Sequence, residues 1–195
     1  MMRWLVFLGL GLLSVGAAAQ QRIEICYNYG CISTVTVTFS KRQLAEVRNL
    51  LDDAVDAAHE RELVAVVIGR LLGWAGQQSP IRADRGGNYR DDGVYGRMDC
   101  IDHATTTTRL LKMLERRGWL RWHRVLEPEL RSRYLIFDHW SAVIEEEPRA
   151  PFRDVHPYAR PRYVVDSWFY DNGQPAVVMP LEAWMDWEGQ NVEHE

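Results

Sequence analysis

A thiol becomes a catalyst when a base takes its proton and a third group holds that base in place. Three residues of this chain supply those roles in chain order: Cys100, His139 and Asp166. Cys100 lies in Met98-Asp-Cys-Ile-Asp-His-Ala104, where Asp99 is suited to cap a helix and Cys100 to occupy its first position. Unpaired N–H groups and the positive end of the helix dipole gather there and favour an anion, here the thiolate that is the reactive form of cysteine. His139 sits in a period-two run over 134–145 and shares a face with Leu135, Phe137, Ser141 and Val143. Asp166 shares a face with Val164, Trp168 and Tyr170 and is the carboxylate of the run 162–170.

Other residues compete for roles. His103 follows Cys100 by one helical turn, so Cys100, His103 and His139 form an alternative zinc-ligand set, unsupported by a second Cys pair or a His-x3-His spacing. Asp138 points away from the His139 face and reads as structural. Acyl transfer needs two donors aimed at a developing oxyanion. The backbone N–H of Cys100 is one; Asn88, Tyr95 and the amides of the 86–97 loop are the candidates for the other. Trp119, Trp122, Trp140, Trp168, Trp184 and Trp187 offer aromatic platforms, but their strand and helix spacings read as core packing.

These groups need a scaffold, and the sequence outlines one. Thr34–Phe39 alternates as a strand, and Ser40-x-x-Gln43 is a capping box that opens a helix carrying Leu44, Val47, Leu50, Leu51, Ala54, Val55 and Ala58. Leu63, Val66, Val67, Leu71 and Trp74 continue the spacing in a second helical segment. Residues 76–96 lose all periodicity, a loop long enough to suggest function. The helix headed by Cys100 carries Ile101, Ala104, Leu110, Leu111 and Leu114 inward and stops at Gly118. Its four threonines, 105 to 108, are poor helix formers, so packing must hold them. Strand-like runs follow at 119–126, 134–145 and 162–170, then an Asn172-Gly173 hairpin signal into 176–179 and a short helix from Pro180. Helices followed by an antiparallel meander give an α+β class, in one domain over 20–195.

The setting is read from the ends and the composition. Arg3, an apolar run to Ala19 and the small residues Ala17-Ala18-Ala19 have the layout of a signal peptide. Sixteen residues reach roughly 24 Å as a helix, short of the roughly 30 Å hydrocarbon core, so stable membrane insertion is not expected. An oxidising compartment then favours a Cys26–Cys31 disulfide, worth roughly 2 kcal/mol for so small a ring. Asn28 and Gly30 suit its turn, and Cys100 is left unpaired. With 47% hydrophobic residues and a net charge of −4, the chain is globular and has no basic footprint for nucleic acid or anionic lipid.

Together these residues resemble the bacterial transglutaminase-like cysteine peptidases, within the wider papain-like and transglutaminase-like fold. The resemblance rests on Met98–Ala104 at a helix head, on Asp138-His-Trp-Ser-Ala-Val-Ile144 and on Tyr163-Val-Val-Asp-Ser-Trp168, and spans roughly residues 41 to 170. Met98 and Trp140 stand where that family usually carries a glycine and a small residue. The resemblance implies helices packed on an antiparallel sheet, with Cys100 as nucleophile, His139 as general base and acid, and Asp166 as its orienter. It implies an exported peptidase or amidase, periplasmic or secreted, acting on protein or peptide amides by hydrolysis or acyl transfer; the leading expectation is a monomer that needs no organic cofactor. Some relatives bind calcium near the nucleophile; Asp99 and Asp102 are too few for the six to eight oxygens that calcium takes. The alternative is an inactive binding module of the same fold in the cell envelope.

Overall fold

The computed structural model describes residues 20–87, 90–134, 137–147 and 160–188. The expected signal segment, Asn88, Leu135 and most of the proline-rich link before Arg160 lie outside the described residues.

Alternation in Arg22-Ile-Glu-Ile25 builds β1 (Gln21–Tyr27), which pairs with β2 (Ser33–Phe39) from Gln21↔Phe39 to Tyr27↔Ser33. This strand was not anticipated. Its isoleucines face the core with Val37 and Phe39, so burial selects the pairing. The Cys26–Cys31 disulfide closes the hairpin, with the two Cα atoms 4.7 Å apart. Between them Asn28, Tyr29, Gly30 and Cys31 all adopt left-handed backbone, with φ of 66, 67, 62 and 56°. Three of the four are not glycine, so surrounding contacts must hold the turn against its own preference.

The capping box forms as read: Ser40 Oγ accepts from the Gln43 N–H, and Gln43 Oε1 accepts from the Ser40 N–H at 2.8 Å, opening α1 (Lys41–Asp52). Asp56 caps α2 (Ala57–Gly76), and Asp99 caps α3 (Cys100–Arg116), which ends before Gly118 at φ +66°. Leu44, Val47 and Leu51 of α1, Val64, Val67, Ile68 and Leu71 of α2, and Leu110, Leu111 and Leu114 of α3 form the main core. Val55 falls between α1 and α2 and is exposed. The threonines of α3 are held as expected: Thr106 Oγ1 accepts from the Cys26 N–H, and Thr107 Oγ1 bonds Ser167 Oγ.

The second sheet has the order β3 (His123–Val125), β5 (Phe137–Glu146), β6 (Arg162–Asp166), β7 (Val177–Pro180), with β4 (Glu129–Arg133) also on β5. All its pairings are antiparallel, so the α+β class holds. β3 and β4 follow one edge of β5 with a one-residue slip between Val125↔Ile144 and Glu129↔Ser141. β6 takes the other edge, but only against 142–145. Beyond that point no described strand lies beside residues 138–140 on the β6 side, and the head of α3 arrives there instead.

Three strand expectations shorten. The run 119–126 forms a strand only at 123–125, and the run 134–145 is a turn at Tyr134 and, among its other described residues, strand from Phe137 onward. The run 162–170 stops at Asp166, whose Oδ1 accepts from the Trp168 N–H while the Trp168 carbonyl accepts from Gly87. The Asn172-Gly173 turn therefore sits inside a longer connection, 167–176, rather than making a two-residue hairpin. That connection packs on α2 so closely that a Cβ on Gly69 would lie 2.4 Å from the Gln174 carbonyl oxygen. α4 (Leu181–Met185) covers the other sheet face, where Trp184 packs with Val143 and Val164.

Candidate active site

The cap brings Cys100 to the edge of β5. Its Sγ–H donates to the Asp138 carbonyl at 3.9 Å, and the Trp140 N–H faces the sulfur from the same edge. The thiol thus touches the backbone on both sides of His139. Its acidity departs from expectation. Burial, with the Asp99 and Asp166 carboxylates nearby, pushes the thiol up to about 11, against the N–H groups of Trp140 and Cys100 that favour the anion. The resting group is a neutral thiol, because desolvation outweighs the helix end.

His139 and Asp166 meet across β5 and β6. Nε2 of the buried imidazole lies 2.7 Å from Asp166 Oδ2, and the ring is enclosed by Trp168, Phe169 and Trp184 with centroids 4.9, 5.6 and 5.8 Å away. Asp166 is further held by the Trp184 indole N–H and the Trp168 N–H, each at 3.2 Å. His139 Nδ1 is buried without a hydrogen-bond partner among the described residues. No hydrogen bond joins it to Cys100 in this resting arrangement. Phe137, expected on the inward face with His139, is exposed.

The same helix head fastens the disulfide turn. Asp102 Oδ1 accepts from the Cys31 N–H at 2.7 Å, and Oδ2 from the Tyr29 and Asp99 N–H groups at 2.8 and 3.2 Å. Asp99 Oδ1 accepts from the Asp102 N–H and Oδ2 from the Gly30 N–H. All four oxygens therefore face amide hydrogens, which holds the left-handed turn but does not suit a calcium site. Burial and the neighbouring Asp99 raise Asp102 to about 6 despite its three donors.

His103 belongs to a separate buried network. Its Nδ1 lies 2.9 Å from Ser167 Oγ and its Nε2 3.0 Å from Asp84 Oδ2, while Asp84 Oδ1 accepts from the Met98 N–H. Burial opposes its protonation, yet the Asp84 carboxylate outweighs this and raises the imidazole. With both nitrogens engaged, His103 does not join Cys100 and His139 in a zinc site. Among the described residues, the group of side chains close enough for a metal is Cys26, Cys31 and Asp102, and its two sulfurs are bonded to each other. Ser167, His103 and Asp84 line up like a serine triad, but Ser167 is buried and its hydroxyl is shared with Thr107.

The second oxyanion donor is narrowed by elimination. The amides of Gly86, Gly87, Val94, Gly96, Arg97 and Met98 all donate elsewhere. Tyr95 turns its ring edge-on to Tyr27, at 5.8 Å, and lines a cavity with Gly76 and Pro80. Sequence reasoning missed three contributors: the Trp184 indole on Asp166, the Trp140 N–H at the thiol, and Asp84 beneath the helix head. Trp184 gave only a packing signal, since its helical spacing with Trp187 says nothing of which carboxylate its N–H meets. Compared with protein-family models, curated proteins and solved structures, the chain matches none. No helix among the described residues is long and apolar enough to cross a membrane.

Proposed function

We propose that the chain is an exported cysteine peptidase or amidase-type hydrolase of the papain-like or transglutaminase-like kind, acting on protein or peptide amides through Cys100, His139 and Asp166. One observation carries this reading: a buried imidazole bound to a carboxylate through Nε2, with Nδ1 unpartnered, on a strand whose adjoining backbone touches a lone thiol. A histidine serving only to support the core would be expected to satisfy both nitrogens. Catalytic hydrogen bonds are commonly loose before substrate binds.

In this mechanism the neutral thiol attacks the amide carbonyl as its proton passes to His139 Nδ1. The resulting imidazolium is stabilised by Asp166 at Nε2, and the Cys100 N–H donates to the oxyanion. The imidazolium then protonates the leaving amine, and a thioester remains on Cys100. Water, or an amine, attacks the thioester with His139 again taking the proton, and the thiol is restored. The Cys26–Cys31 disulfide fits an oxidising compartment, in keeping with a periplasmic or secreted protein.

Alkylation of Cys100 by iodoacetamide, followed by peptide mass spectrometry from pH 5 to 9, tests the reading. At pH 7 the wild type should label at least about tenfold faster than His139→Ala, because the variant loses its base. The variant's rate should still be rising at pH 9, because burial holds the Cys100 thiol above its ordinary range. Equal rates in the two proteins would sink the catalytic reading and leave a binding module.

A further inference from the structure

Near Cys100, α3, β5 and the link between β3 and β4 line an open cleft of about 440 Å³, bounded by Ile101, Ala104, Thr105, Glu127, Pro128 and Trp140. Its size falls within the range of small-ligand pockets. Two walls are chain neighbours of the reacting groups: Ile101 follows Cys100, and Trp140 follows His139 and turns its N–H to the sulfur. Ile101, expected in the core, is instead 39% exposed, because the face of α3 carrying Leu110, Leu111 and Leu114 is the one that packs inward. A large aliphatic side chain is thus left on the cleft wall without a core to fill. Glu127 brings a carboxylate, but it is paired with Lys112. The remaining walls are mainly hydrocarbon.

The thiol gives the cleft an occupant. The head of α3 fills the β5 edge at residues 138–140 and carries Cys100, so a peptide bond brought to this sulfur passes Ile101 and Trp140 on the cleft wall. Side chains of an extended chain alternate, and one set would point toward α3. We infer that this cleft receives a large apolar side chain of the peptide substrate beside the scissile bond, so that the preferred substrates carry an aliphatic or aromatic residue there. The assignment builds on the proposed role of Cys100 as the acyl-accepting thiol.

The test compares alkylation of Cys100 by iodoacetamide and by N-hexyl iodoacetamide in the intact protein, with each rate divided by that of N-acetylcysteine. Both reagents meet the same sulfur, so their ratio cancels its intrinsic reactivity and does not depend on His139. The hexyl reagent should be favoured about tenfold in the wild type, the gain expected from burying roughly two methylenes. Thr105→Trp, which fills the cleft from its half-buried rim, and Ile101→Glu, which charges its wall, should each cut the preference to threefold or less, taken as about a third of that gain. No preference in the wild type, or a preference that survives both substitutions in folded protein, overturns the assignment. A hexyl preference together with labelling indifferent to His139→Ala keeps the apolar cleft and removes the catalytic reading. Dependence on His139 without a hexyl preference removes the cleft alone.

Discussion

Two of the three described histidines that are buried against a carboxylate, His139 and His103, lie 2.7 Å from Asp166 and 3.0 Å from Asp84. They differ at the other nitrogen. His103 meets Ser167 there and ties α3 to the loop after β6, whereas His139 Nδ1 has no hydrogen-bond partner among the described residues. Satisfied at both ends, an imidazole is a cross-brace. With one end open, it can exchange a proton. Burial and a nearby carboxylate alone do not distinguish the two; the full hydrogen-bond inventory does.

The largest expected effect separates them by replacement. His139→Ala should lower turnover of a peptide amide by about 10²–10⁴-fold per folded molecule. His103→Gln should instead reduce stability by roughly 3 kcal/mol, because it breaks a buried pair and strands Asp84, while turnover per folded molecule falls less than about tenfold. Urea unfolding and steady-state kinetics on both variants measure the contrast, and equal catalytic losses would erase it.

A smaller effect appears in the pH dependence of stability. His103 is raised above its ordinary 6.5 and Asp102 from 3.8 to about 6, so the folded state binds both protons more tightly than the unfolded chain. Asp102's contribution is complete below 3.8 and disappears as pH rises through about 6. That of His103 is complete below 6.5 and disappears as pH climbs through its higher folded value. Glu145 acts oppositely: Arg124 and Arg162 hold it below 4.5 against burial, so its contribution is lost as pH falls through that lowered value. The urea midpoint should therefore be higher near pH 5.5 than near pH 8, values placed roughly either side of these titrations. His103→Gln should flatten the alkaline part of the slope; an unchanged slope would show that His103 carries no such proton.

The smallest effect concerns the support of the open histidine. Trp184→Phe retains most of the aromatic volume but deletes the indole N–H to Asp166. Losing one hydrogen bond to a charged group costs about 1.5–3 kcal/mol at most, and the other Asp166 donors remain. Turnover should fall about three- to tenfold, as measured by kcat at saturating peptide, with no change in the hexyl preference at Cys100. A loss matching that of His139→Ala would mean that Trp184 does more than orient Asp166.

Local patterns were legible in advance because their physics is local. The Ser40 and Asp99 caps, the α1 to α3 periodicities and the 26–31 ring depend on residues a few positions apart. Strand ends were less legible. β6 stops at Asp166 because the following residues bond to a loop some eighty positions earlier, and the alternation that builds β1 covers only Arg22 to Ile25. Ile101 matched the helical period, yet whether that face packs inward depends on where the sheet lies.

Sequence alone determined the α+β class, the capped helix with a cysteine at its head, and the chain order of thiol, imidazole and carboxylate, since each follows from residue types at short range. Tertiary structure decided that Asp166 pairs with His139 and Asp84 with His103, that the thiol is neutral, and that Ile101 and Trp140 border a cleft. Those outcomes depend on desolvation and on contacts between distant segments, which folding brings together and local pattern does not encode.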